Sequence, residues 1–323
     1  MKQQPSVNYG FLPPVEKPTD RLFGTSETRF NIFGIEDWTP YYSPGELQVI
    51  NNVRTQACVS FSAIKIVSAI FNYKLEHNQI SDSNLKWLIE KGYIVNGKMD
   101  ASERYLAKMS GTSVQGNSAD AVGNTVRHWG LVPQSVWPFD LDFWSWDEYY
   151  KLIPKEVMEL GLEFAERFDI SYDRVWLDNK EVVLEALSHS PLQVFVHAWD
   201  SPFQGKYQRT LKDINHAVSL PKPEWFIFDS FLDPKDGDFI KELVPDFLFY
   251  PTAFIYNVTE KNMTNVKIIK DADSPAVGFW LPQISAEAFK SNCATFGLPC
   301  PLKDDGSVDW DAVQIQGTLN LNQ

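Results

Sequence analysis

The first cysteine in the chain is Cys58, in Gln56-Ala57-Cys58-Val59-Ser60-Phe61-Ser62-Ala63, and a thiol is a ready nucleophile. A polar, turn-like segment ends there and an apolar run begins, with Val59, Phe61, Ile64, Ile66, Val67, Ala69, Ile70 and Phe71 at helix-like intervals. A thiol in the first turn of a helix meets unpaired backbone N–H groups and the positive end of the dipole, and both favour the reactive thiolate. The plainer alternative is a small core residue, the usual fate of a free cysteine. A thiolate nucleophile needs a base, and histidine suits that task at neutral pH. The chain has five: His77, His128, His189, His197 and His216. His216 stands in an apolar, strand-like segment between Asn215 and Ala217, where small neighbours leave room for a cysteine. Antiparallel pairing across a turn at Pro221–Glu224 puts Asp229 on the His216 side, where it can accept a hydrogen bond and fix the imidazole tautomer. Taken singly, His216 reads as a satisfied core histidine and Asp229 as a strand-end turn residue. Neither reading explains why both fall on adjacent strands after a cysteine-led helix.

The elements that must position these groups change character along the chain. Residues 1–35 are rich in Pro, Gly and polar groups and read as an arm, either a disordered tail or a strap along a partner or along the protein's own surface. Helices are predicted over 59–76, 80–95 (Ser81 or Asp82 as N-cap), 101–109 and 119–128, the last ended by Gly130. An extended stretch follows at 131–138. A helix starts near Pro154 and runs to Phe168, and another spans 180–188. Trp144, Trp146, Tyr149 and Tyr150 read as packing. Strands are expected over 192–199, 215–220, 225–230 and 248–258. A helical half (36–140) followed by an antiparallel β half (170–262) gives an α+β architecture with a cleft between the halves. Residues 263–323 read as a C-terminal extension, with a helix over 285–296.

Composition narrows the function. The chain has 323 residues, 44% hydrophobic and 22% charged, with eleven Trp and 22 Phe to fill a core. A net charge of −13 argues against a general phosphate-binding surface, so no nucleic-acid partner is expected. No run of about 18 apolar residues suggests a transmembrane helix, and the first residues lack an apolar signal region. Three cysteines, Cys58, Cys293 and Cys300, imply no disulfide framework and fit a reducing compartment. A cytoplasmic or virion-associated location is therefore expected. No cofactor or metal is called for.

Several blocks, in order, resemble the papain-like cysteine peptidases, over about residues 37–260. They are Asp37-Trp38, the Cys58–Ala63 block, Gly130-Leu131-Val132-Pro133 to Trp137-Pro138, Ala186-Leu187 to Pro191-Leu192-Gln193-Val194, Asn215-His216-Ala217-Val218, and Trp225-Phe226-Ile227-Phe228-Asp229-Ser230. The resemblance implies a papain-like fold and makes Cys58 the nucleophile, His216 the general base and acid, and Asp229 the orienting group. The family usually carries Asn where Asp229 stands, and Trp where Val59 stands. Its oxyanion donor is a Gln six residues before the Cys. An ungapped count gives Asn52 and a gapped alignment gives Gln56. Its substrate-lining loop falls on Gln115, Gly116 and Asn117, and Asn215 joins the substrate-binding set. The pared-down pattern, without disulfide cysteines or a recognisable propeptide, looks more like bacteriophage and bacterial members than lysosomal ones. The expected activity is hydrolysis of a protein or peptide through an acyl-enzyme. Two other readings stay open: a papain-like fold acting as an assembly component, for instance of a phage particle, with its arm and tail contacting partners, and transglutaminase-like acyl transfer.

Overall fold

A two-residue turn and a glycine stop explain much of how the helical half departs from a plain helix count. The computed structural model describes residues 9–13, 21–24, 33–139, 143–199, 202, 204–209, 214–232 and 237–261. The chain divides into two compact units, Met1–Asn265 and Val266–Gln323, and all described residues belong to the first. The predicted helix at 285–296, Cys293 and Cys300 lie outside the described residues.

The chain opens with a hairpin, β1 (Val49–Ile50) and β2 (Val53–Arg54), then α1 (Cys58–Glu76) and α2 (Asp82–Glu90). The predicted second helix ends five residues early. Gly92 takes a left-handed φ of 83°, and Asn96-Gly97 (φ 52° and 78°) closes a tight hairpin between β3 (Ile94–Val95) and β4 (Lys98–Met99). Asn-Gly is the residue pair that such a turn favours. Then come α3 (Glu103–Met109), α4 (Ala119–Trp129), α5 (Trp146–Tyr149) and α6 (Lys155–Arg167). Of the four aromatics read as packing, Tyr149 and Tyr150 are buried, Trp146 lies against Tyr150 at 4.3 Å, and Trp144 projects outward.

The β half begins with a strand not predicted from the sequence, where the first expected strand is 192–199. The chain passes from α6 directly into β5 (Phe168–Trp176), then α7 (Lys180–Leu187), β6 (Leu192–Val196), β7 (His216–Leu220), β8 (Phe226–Phe228), β9 (Ile240–Glu242) and β10 (Thr252–Glu260). These strands form one antiparallel sheet in the order β5-β10-β6-β7-β8-β9. The fold is α+β, as the sequence implies.

α1 is the axis of the helical half. Its length and composition would suit a membrane span, but 83% of that apolar window is buried inside the protein. Unlike a surface helix, it is apolar nearly all round, and buried residues run from Cys58 to Asn72. It packs against β6, β7 and β10 on one side and α3 and α4 on the other. Gln193 of β6 locks its first turns to the sheet: Nε2 donates to the Val59 carbonyl (2.9 Å) and to Ser62 Oγ (2.7 Å), and Oε1 accepts from the Tyr256 hydroxyl (2.9 Å). Trp38 ties the start of the domain to the β half, donating from Nε1 to the Leu187 carbonyl at 2.7 Å.

Gly130 ends α4 at φ 62°, ψ −157°, a region closed to other residues. A Cβ there would also come within 2.1 Å of the Gly161 carbonyl oxygen on α6. Gly130→Ala is expected to lower unfolding free energy by about 1–3 kcal/mol from backbone strain alone, with the clash adding to it. Urea denaturation followed by circular dichroism measures this.

Candidate active site

Cys58 is the first residue of α1, so its own N–H and that of Val59 have no intrahelical acceptor. This end of the helix packs against β7. There the Cys58 thiol meets the backbone N–H of Ala217, the residue after His216. Cys58 is fully buried, and that burial pushes its thiol well above the ordinary range. The Asp229 carboxylate adds to the rise, against the lowering by the Ala217 N–H and the helix-end N–H groups.

His216 opens β7, opposite Val196 of β6, and its side chain is completely buried. Its Nε2 lies 2.6 Å from Asp229 Oδ1, while Nδ1 has no hydrogen-bond partner among the described residues. Nε2 therefore carries the proton toward the carboxylate, and Nδ1 is the free basic position. Asp229 follows β8 directly, and Ser219–Phe228 pairing sets that register. Its Oδ1 also accepts from the Ser230 N–H at 2.7 Å. Burial raises the Asp229 carboxyl, but His216 and Lys241 outweigh it and hold the group below the usual carboxylate range. The structure thus joins His216 and Asp229 from β7 and the end of β8, and sets the Cys58 thiol of α1 at the backbone of Ala217, the residue next to His216.

The oxyanion candidates fall elsewhere. Asn52, favoured by the ungapped count, sits with Asn51 at the tip of the β1–β2 hairpin, both at positive φ, and is exposed. Gln56 lies closer to Cys58, at φ 56°, but its Oε1 is buried without a partner. Another side-chain amide, Gln48, ten residues before Cys58 and missed in the sequence, donates from Nε2 to the carbonyl of Tyr9, whose ring neighbours that of His216. The hairpin loops out between Gln48 and Cys58, and Thr55 donates to the Gln48 carbonyl from both N–H (3.2 Å) and Oγ1 (2.8 Å), returning Gln48 to the helix start. Counting residues through an inserted hairpin lands on its turn. The pairing of β1 with β2 is the signal that would have found Gln48.

The cleft is not empty of polypeptide. Residues 9–12 of the same chain cross it. Tyr9 donates its N–H to the Asn215 carbonyl (3.1 Å), the Asn117 N–H donates to the Gly10 carbonyl (2.9 Å), and the Leu12 N–H donates to the Asn117 carbonyl (2.8 Å). Phe11 is buried and stacks on Phe195 with ring centres 4.4 Å apart. The Tyr9 ring lies 5.0 Å from the His216 ring, and its carbonyl accepts from Gln48 Nε2 at 3.5 Å. Of the predicted substrate-lining residues, Asn117 and Asn215 thus hold this strap through backbone groups. Gly116 gives it room, since a Cβ there would sit 2.2 Å from Gly10. Gln115 is exposed at the loop tip. Among the described residues, no group of three His, Cys, Asp or Glu side chains could hold a metal ion.

The helix-to-sheet cleft carrying a buried Cys, His and Asp is that of a papain-like cysteine protease fold. Xylellain, a cysteine protease from Xylella fastidiosa, superimposes with a TM-score of 0.54 at 14% identity over 80% of this chain and 98% of its own. Digestive procathepsin L 3 of Tenebrio molitor larval midgut gives 0.48 at 14% identity, over 78% and 77% of the two chains. Bromelain from Ananas comosus gives 0.44 at 17% identity, over 68% and 97%. No protein-family model matches the sequence, and no curated protein does.

Gly10 is where the strap is most constrained, at φ 107° and with a would-be Cβ 2.2 Å from the Gln56 carbonyl oxygen. Gly10→Ala is expected to expel the strap and leave the domain folded. Iodoacetamide should then alkylate Cys58 at least about tenfold faster than in the unaltered chain. The thiol should also titrate at lower pH, because the burial that raises it is relieved.

Proposed function

We propose that the protein is a cysteine peptidase that cleaves peptide bonds through a covalent acyl-enzyme. The observation that carries this reading is the apposition of Cys58 with the His216 strand, where His216 has Nε2 on Asp229 and Nδ1 unpartnered. His216 Nδ1 takes the Cys58 proton, and the thiolate attacks the substrate carbonyl. The Cys58 N–H and Gln48 Nε2 donate to the oxyanion that forms. The imidazolium returns its proton to the leaving amine, and the C–N bond breaks to give a thioester. His216 then draws a proton from water, which attacks the thioester and releases the acid and the free thiol. Asp229 accepts from His216 Nε2 and keeps the ring oriented throughout.

The strap supports a peptide as substrate, because extended backbone already bonds to both walls, at Asn117 and at Asn215. It pairs with Asn117 in parallel, and its Tyr9 carbonyl lies at the Gln48 amide. A substrate must displace it, so this reading makes the chain as described a held-back form of the enzyme.

Labelling with an epoxide or iodoacetamide tests the proposal in the Gly10→Ala background, on otherwise unaltered chain and on Cys58→Ala and His216→Ala. Fast labelling that requires both residues and persists well below pH 8 is expected. Labelling no faster than that of a free thiol and indifferent to His216 would sink it. Gln48→Ala should leave labelling intact and lower kcat on a peptide substrate by about 10²–10³.

A further inference from the structure

The third partner of the Asp229 carboxylate is a buried lysine. Lys241, in the middle of β9, has a side chain only 2% exposed, and its Nζ lies 3.1 Å from Asp229 Oδ2. The same ammonium donates to the Phe231 carbonyl and faces the Tyr207 ring, 5.8 Å from its centre. Asp229 is therefore shared: Oδ1 to the imidazole, Oδ2 to the ammonium, both in the dry interior. β9 is the edge strand, and an edge lysine would ordinarily point to solvent.

We propose that Lys241 is a positioning residue for the reaction: its ammonium cancels the charge of Asp229, so the Asp229–Lys241 pair acts on His216 as a neutral amide would. The inference rests on the thiolate–imidazolium reading of Cys58 and His216. A buried carboxylate at 2.6 Å favours the imidazolium, and an ammonium on its other oxygen offsets that pull. With Lys241 in place, Oδ1 still orients the ring, but the net charge facing it from behind is zero. The position is one where the resemblance expects Asn, and here two charged residues on neighbouring segments do the work of one amide. The other charged and titratable groups around the site are Cys58 on α1, Tyr9 on the strap with Arg54 of β2 beside it, and Glu46 and Lys65 lining a small cavity next to Asp229. Among the described residues, Asp229 forms ion pairs with His216 and Lys241 and with none of these groups.

The test is the titration of His216, read by NMR on the full chain labelled with ¹⁵N-histidine, with His216→Ala supplying the assignment. Lys241→Gln, which keeps a donor for the Phe231 carbonyl, should raise the His216 midpoint by about one unit or more. Asp229→Asn leaves Lys241 uncompensated and should lower it by a similar amount. The double variant Asp229→Asn with Lys241→Gln should fold and return the midpoint to that of the unaltered chain. Single variants that fail to fold, alongside a folded double with the original midpoint, would also support charge cancellation. Single variants that fold with unmoved midpoints would overturn it, as would a double variant that fails to fold or keeps a shifted midpoint. The readout needs no turnover. Slow Cys58 labelling in the Gly10→Ala chain would count against the peptidase reading, whereas an unmoved His216 midpoint would count against Lys241 alone.

Discussion

Everything in this molecule depends on one contact: the packing of α1, from its first turn, against β7. An apolar helix buried along most of its length cannot slide without exposing core. Gln193 fixes the remaining freedom by hydrogen-bonding the first-turn carbonyl and Ser62 from within the sheet. A thiol on that end is therefore held against the strand that carries the histidine. Helix and strand come from distant parts of the sequence, so the site exists only when both halves have folded and docked.

Burial supplies both the opportunity and the obstacle. The charged groups behind the histidine are out of water, where an unpaired ion costs several kcal/mol. Asp229 meets this cost with an imidazole, a backbone N–H and an ammonium. Cys58 has only backbone N–H groups to set against its burial, and burial outweighs them, so its thiol is pushed toward the protonated form. Occlusion and reactivity are linked in this way. The strap excludes water as well as substrate, and the nucleophile becomes easier to ionise when the strap leaves.

The chemistry-bearing residues were legible because their surroundings were periodic. Cys58 stood at the sharp start of a long apolar run, and His216 and Asp229 stood in strand-like segments on either side of a turn. The α+β division and most helices followed from the same patterning. What escaped had a physical cause in each case. β5 carries charged residues at Asp169, Asp173 and Arg174, and its burial comes from pairing with β10 along nine residues, which no local window shows. β9 is three residues long, too short to show a strand's alternation. Gln48 was hidden by a hairpin whose pairing, not its length, sets the distance to Cys58. The strap was legible only as Pro- and Gly-rich sequence; its course through the cleft depends on Gly10 and Gly116 fitting against each other.

The most direct measurement of the central claim is intact-mass detection of an acyl-enzyme after rapid quenching with a peptidyl p-nitrophenyl ester, on the unaltered chain and on Gly10→Ala. The account predicts a burst of one p-nitrophenolate per chain in Gly10→Ala, with the acyl group on the Cys58-containing fragment and a smaller, slower burst in the unaltered chain. Absence of any adduct in both, or an adduct on a residue other than Cys58, would contradict it.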